Sequence, residues 1–107
     1  MVLAVAWMVV APVGISPAEV RDATLAPRRV RIVDYTFSPR VITIARGTRV
    51  RWTNADPAAH TATSVRGTWN SGTLLPGESY VRLFRRRGRF TYLCTIHPGM
   101  AGTVVVK

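Results

Sequence analysis

Arg49-Val50-Arg51-Trp52-Thr53-Asn54 alternates charged or polar side chains with apolar ones at every step. Successive side chains of an extended chain point to opposite faces, so Val50 and Trp52 share one face and the arginines the other. That is the pattern of a half-buried β-strand. The flanking sequence continues it. Val30-Arg31-Ile32-Val33-Asp34-Tyr35-Thr36-Phe37 is rich in β-branched and aromatic residues and reads as one strand stopping at Ser38-Pro39. Val41-Ile42-Thr43-Ile44 follows and ends before Arg46-Gly47, a turn signal. Beyond Asn54, Asp56 to Ala59 reads as a loop and His60 to Val65 as the start of another strand. Arg66 to Leu75 is irregular, and Pro76-Gly77 is a tight turn. Ser79 to Phe84 and Arg89 to Cys94 flank a turn at Arg85 to Gly88, and Thr103 to Val106 closes the chain. No segment carries an apolar repeat at helical spacing. About seven to eight short strands at hairpin-like intervals predict an all-β chain folded as a β-sandwich with Greek-key connections.

Composition narrows the classes. The 107 residues are a one-domain length. Fourteen arginines and one lysine against five acids give a net charge of +10. Such a balance suits an acidic partner, an anionic membrane surface or nucleic acid. Few aromatics are interleaved with the arginines, which tells against nucleic acid, and a bias toward arginine codons accounts equally well for the scarcity of lysine. The single cysteine, Cys94, cannot form an internal disulfide. In an exported protein a lone cysteine is a reactive thiol, an intermolecular bridge or a metal ligand.

Met1 to Ala18 has no charged side chain, and Val2 to Val13 is apolar apart from Pro12. With the small residues Ser16 and Ala18 at its end, residues 1–18 are read as a signal peptide, although no basic n-region precedes the apolar run. An uncleaved membrane anchor is the alternative, weakened by Pro12 and Gly14 and by a length short of the roughly 20 residues a spanning helix needs. Residues 19–28 are read as a linker and residues 29–107 as the folded domain.

The chemistry concentrates near the end of the chain. Tyr92-Leu93-Cys94-Thr95-Ile96-His97-Pro98-Gly99-Met100 places a thiol, an imidazole and a thioether at Cys-x2-His-x2-Met spacing. These are the soft and borderline ligands that copper prefers. A second imidazole is missing from the loop, and the only other histidine, His60, stands 34 residues before Cys94. If the strands leading to His60 and to Cys94 run in the same direction, both residues reach one pole of the sandwich. Taken singly, each residue has an ordinary reading: a core cysteine, a packing methionine, a solvated loop histidine. Zinc fits poorly, because the fourth donor would be a thioether rather than a second thiolate, an imidazole or a carboxylate.

The pattern from about Val30 to Lys107 resembles the cupredoxins, the small blue copper proteins, and especially the amicyanin and plastocyanin group. The matching pieces are Phe37-Ser38-Pro39, Gly47-x2-Val50-x-Trp52-x-Asn54, His60-Thr61, Pro76-Gly77-Glu78, Gly88-x-Phe90-x-Tyr92-x-Cys94 and His97-Pro98-x-Met100-x-Gly102-x-Val104. The short ligand loop is closer to amicyanin than to plastocyanin. The resemblance implies that His60, Cys94 and His97 form a trigonal plane around one copper ion, cycling between Cu(I) and Cu(II), with Met100 as a weak axial ligand. It implies a one-electron carrier rather than an enzyme, since a closed ligand shell leaves no position for substrate. Thr61 stands where close relatives carry an asparagine that ties the ligand loops together, so its hydroxyl is expected to supply only part of that link. Gly99 replaces a bulkier residue.

By the same resemblance, redox partner proteins dock over His97, through the small or apolar residues Pro57, Ala58, Ala59, Pro98, Gly99 and Ala101. A monomer working outside the cytoplasm, in the periplasm, is expected. The run Arg82, Arg85, Arg86, Arg87 and Arg89 begins the Cys94 strand, so strand rise carries it about 17–20 Å from the copper end. Arg46 belongs at that far pole too, and a solvated turn, or attraction to an anionic membrane surface, suits these arginines better than docking over His97. Arg40 and Arg66 are expected nearer the copper. Two alternatives compete with the carrier: a protein that delivers or stores copper, and a metal-free basic module.

Overall fold

The computed structural model describes residues 26–107, so the segment read as a leader and most of the linker lie outside the described residues. Eight strands follow in order: β1 (Arg28–Val33), β2 (Thr36–Ser38), β3 (Val41–Ile44), β4 (Thr48–Asn54), β5 (Thr63–Ser64), β6 (Ser79–Phe84), β7 (Gly88–Leu93) and β8 (Ala101–Val106). Strand β1 begins at Arg28, the last residue of the segment read as a linker.

The strands form two four-stranded sheets, ordered β2-β1-β4-β6 and β3-β8-β7-β5. Each is mixed: β1 runs parallel to β4 and β3 parallel to β8, while the remaining pairs are antiparallel. Parallel neighbours cannot be joined by a hairpin, so the chain crosses between the sheets. The result is the expected all-β sandwich.

Register follows the alternation in the sequence. Val30 lies opposite Trp52, and both are buried, whereas Arg29 lies opposite Arg51 on the exposed face. Val30, Ile32, Val50, Trp52 and Phe84 from the first sheet meet Ile42, Ile44, Tyr92, Val104 and Val106 from the second. Trp52 sits at the centre, with the rings of Trp69, Tyr80, Phe84 and Tyr92 around it.

Two local expectations change. The stretch Val30 to Phe37 is not one strand. It folds back at Asp34-Tyr35, where both residues take the left-handed conformation (φ 53° and 58°), and Val33 pairs with Thr36 across a two-residue turn. Positive φ at both central residues marks a type I′ hairpin, in which Asn-Gly is usual and an Asp-Tyr pair is strained. The compensation comes from Asp56, which accepts both turn amides. The irregular segment from Arg66 to Leu75 supplies Trp69 and Leu74 to the core. Its aromatic and aliphatic residues lack strand spacing, so periodicity did not mark them.

Candidate metal centre

Strand β7 delivers Cys94 as the first residue beyond its end, where Leu93 still pairs with Ala101 of β8. The loop between β7 and β8 is closed by its own backbone. Cys94 N–H donates to Met100 O at 3.0 Å, and Met100 N–H to His97 O at 3.3 Å. Gly99 takes φ 91°, which lets the loop turn back after Pro98. Cys94, His97 and Met100 are thus fixed by a compact ring of main chain.

His60 arrives from the other side. Asn54, at the end of β4 and fully buried, donates its side-chain amide to Ala58 O and Leu74 O, both at 2.8 Å. Its oxygen accepts Asp56 N–H at 2.9 Å. That one side chain therefore shapes the loop from Ala55 to Ala59. His60 and Leu74 then exchange backbone hydrogen bonds, His60 N–H donating at 3.1 Å and Leu74 N–H at 2.7 Å.

The two histidines and the cysteine converge. His60 Nδ1 lies 3.1 Å from His97 Nδ1, and Cys94 Sγ lies 3.8 Å from the first and 3.7 Å from the second. A triangle with those sides has a circumradius of about 2.1 Å, the length of a metal–imidazole bond and close to that of a metal–thiolate bond. The donors fit one ion at their centre. Among the described residues this is the group of three metal-donor side chains that stands out. Met100 is buried beside it in the closed loop. A thiolate and two imidazoles with a thioether alongside form the donor set of a type 1 copper site. The proximity of Cys94 and His60 also shows that both strands end at one pole.

The surroundings orient the donors. His60 Nε2 lies 2.8 Å from Asp56 Oδ2. An acceptor there keeps the proton on Nε2 and leaves the Nδ1 lone pair facing Cys94 and His97. Asp56 is itself almost fully buried. Burial pushes its carboxyl pKa up, but hydrogen bonds from the Tyr35 amide, the His60 ring and the Asp34 amide together hold it below the ordinary carboxylate value. Cys94 Sγ accepts the Thr61 N–H at 3.3 Å. The Thr61 hydroxyl accepts Thr95 N–H at 2.9 Å and lies 3.1 Å from the Thr95 hydroxyl. Thr61 thus ties the two ligand loops twice, once through its backbone and once through its side chain, a fuller link than its sequence position promised.

Asp56 and Tyr35 escaped the sequence reading. Asp56 carries one usable signal, a carboxylate four residues before a ligand histidine. Tyr35 carries none, because its strand-like context concealed the turn. Its ring packs edge-on against His60 (centroids 5.1 Å apart) and His97 (4.8 Å).

The arginines divide as follows. Arg82, Arg85 and Arg86 line one hollow with Phe84 and Phe90, and Arg86, Arg87 and Arg89 another, at the β6–β7 turn and away from Cys94. Arg46 N–H donates to Lys107 O at this end. Arg82 is committed to the fold: its guanidinium lies over the rings of Trp69 and Phe84, at 5.1 and 5.4 Å. Arg40 lies at the copper end, lining a cleft with Tyr35, Gly99 and Met100. Arg66 does not. Because β5 is antiparallel to β7, the chain beyond His60 retraces the Cys94 strand backward, and Arg66 joins Arg86, Arg87 and Arg89. Around the copper pole, Leu75 and Ile96 are exposed beside Pro57, Pro98 and Gly99, enlarging the expected apolar surface.

Fold and site together define a copper-binding β-sandwich. The family model for the cupredoxin-like domain matches residues 1–106, and the chain belongs to that family. It is similar to amicyanin-alpha of Methylorubrum extorquens, 29% identical over 82% of this chain and 78% of the relative. It is similar to the chloroplast plastocyanin of Tetradesmus obliquus, 33% identical over 66% of this chain and 58% of the relative. Among solved structures, a purple cupredoxin from Nitrosopumilus maritimus superposes with a TM-score of 0.69 at 30% identity, covering 75% of this chain and 99% of the other. A copper-containing nitrite reductase from Thermus scotoductus matches with a TM-score of 0.71 at 30% identity, over 76% of this chain but only 22% of the enzyme.

Proposed function

We propose that the protein is a one-electron carrier whose copper is held by His60, Cys94 and His97 in a trigonal plane, with Met100 as the weak axial ligand. The observation that carries this reading is the triangle of Nδ1, Sγ and Nδ1 atoms, already spaced for one ion and locked by hydrogen bonds around it. Copper in such a site supplies a one-electron Cu(I)/Cu(II) couple. The chain supplies rigidity, so that little rearranges when the charge changes. Asp56 fixes the His60 ring, the Thr61 amide supports the Cys94 sulfur, and the β7–β8 loop clamps His97 and Met100. His60 and Cys94 are buried, which opposes hand-over of the metal to another protein. His97 is the ligand that reaches the surface, half-buried among Ile96, Pro98 and Gly99. Redox partners dock there, over a largely apolar area beside Arg40, suited to a brief encounter of small size. Residues 29–107 act as the copper domain of a monomeric protein exported by residues 1–18 and working in the periplasm, where the far-pole arginines attract it to anionic surfaces.

Adding Cu(II) to the apoprotein and recording the visible spectrum and a redox titration tests the reading. An intense blue band and a reversible one-electron couple are the expected result. Copper uptake without a thiolate band, or rapid transfer of the metal to a chelator, overturns it.

A further inference from the structure

We propose that Tyr35 is a lid that closes the side of the copper site left open between the two ligand loops, excluding small anions and solvent from Cys94 and the histidines; this rests on the copper reading above. The His60 loop covers one flank of the donor triangle and the β7–β8 loop covers another. Between them stands the β1–β2 hairpin, which places the Tyr35 ring against both ligand imidazoles. That ring meets His60 and His97 edge-on, with centroids 5.1 and 4.8 Å away and interplanar angles of 88° and 78°. Aromatic rings prefer this edge-to-face arrangement, so the contact holds the tyrosine over both imidazoles at once. Half of Tyr35 is exposed while His60 beneath it is fully buried, which is how a cover is placed.

The backbone confirms that this position is held. Two consecutive non-glycine residues in the left-handed region are costly, and such strain persists only where the surroundings enforce it. Here the enforcing group is the Asp56 carboxylate. Oδ1 accepts Asp34 N–H at 2.7 Å and Oδ2 accepts Tyr35 N–H at 2.9 Å, while Oδ2 also holds His60 Nε2 at 2.8 Å. One carboxylate therefore positions the ligand and its cover relative to each other. The ring also borders a cleft of about 80 Å³, lined with it by Phe37, Arg40, Gly99, Met100 and Ala101 and by none of His60, Cys94 and His97, so Tyr35 touches both this solvent space and the ligand imidazoles. The cleft has room for more than one water, a volume of roughly 30 Å³ each. Arg40 at its rim attracts anions, and Gly99 offers no side chain to fill it.

The test compares wild type, Tyr35→Ala and Tyr35→Phe in the full chain. In the apoprotein, alkylation of Cys94 by iodoacetamide, followed by intact mass, reports access without any metal, and the cysteine is the only one. Tyr35→Ala is expected to react about tenfold faster and Tyr35→Phe at the wild-type rate, because the phenyl ring keeps both edge contacts. In the copper-loaded protein, azide titration is expected to shift the visible band of Tyr35→Ala at concentrations that leave wild type and Tyr35→Phe unchanged. Equal alkylation rates and equal azide responses in all three overturn the lid. So does a Tyr35→Phe variant as open as Tyr35→Ala, which would assign the effect to the hydroxyl. A wild type without a blue band overturns the copper reading itself, a different result from a blue but uniformly closed set of variants. Should Tyr35→Ala fail to fold, Tyr35→Leu carries the same comparison, with alkylation at the wild-type rate counting against the lid.

Discussion

Removing the Asp56 carboxylate should destabilise the apoprotein in a graded way that reveals what the group does. Three donors converge on it: Asp34 N–H on Oδ1, and Tyr35 N–H and His60 Nε2–H on Oδ2. Asp56→Ala leaves all three without their acceptor. The two turn amides lie in an exposed hairpin and can turn to water, so each loses little more than a net hydrogen bond, about 1 kcal/mol or less. The His60 donor is fully buried, and an unsatisfied buried donor costs about 1–3 kcal/mol. The expected total is about 3 kcal/mol. Asp56→Asn is the control. Its amide can place oxygen toward Tyr35 and His60 and nitrogen toward Asp34, losing one exposed hydrogen bond and the negative charge, for about 1 kcal/mol. The pH dependence has a definite sign. The Asp56 pKa is depressed on folding, so its contribution is complete above the unfolded carboxylate value of about 3.9 and fades as pH falls through the lower folded value. The gap between wild type and Asp56→Asn should therefore narrow on acidification below about pH 4. Urea unfolding of metal-free protein at neutral pH and in an acid series measures all of this without the stabilisation bound copper would add. If Asp56→Ala costs under about 1 kcal/mol, or equals Asp56→Asn, the carboxylate is not the tie between hairpin and ligand argued here.

Three further outcomes are expected. Cys94→Ser should abolish the intense blue band while leaving the apo fold intact, since the thiolate is the charge-transfer donor; absorption spectra of the copper-loaded variant decide it. Met100→Gln should retain copper and lower the reduction potential, because an oxygen donor favours Cu(II), and an unchanged potential by voltammetry would remove Met100 from the axial position. Gly102→Ala should cost about 2–3 kcal/mol in urea unfolding. A Cβ there would stand 2.5 Å from the Tyr92 hydroxyl oxygen and 3.1 Å from Arg40 O, and the buried Tyr92 ring has nowhere to retreat.

By itself the sequence determined the fold class and the three-donor loop. Period-two alternation is a local property, so Arg49 to Asn54 announces a half-buried strand without help from the rest of the chain. Ligand spacing within one tight loop is local as well, and Cys94, His97 and Met100 can be read from seven consecutive residues. The resemblance named His60 as the completing ligand, but only the tertiary structure shows how it is brought there. His60 reaches Cys94 because strands from different sheets end at one pole. Arg66 moves to the far pole because β5 pairs antiparallel with β7. Trp69 enters the core from a segment with no periodicity at all. The hairpin at Asp34-Tyr35 is the clearest case. Local propensity favours a continuous strand through these residues, and only a carboxylate 21 and 22 residues away makes the left-handed turn affordable. An acceptor that distant is invisible to any local pattern, yet it sets both the orientation of His60 and the position of the ring that covers it.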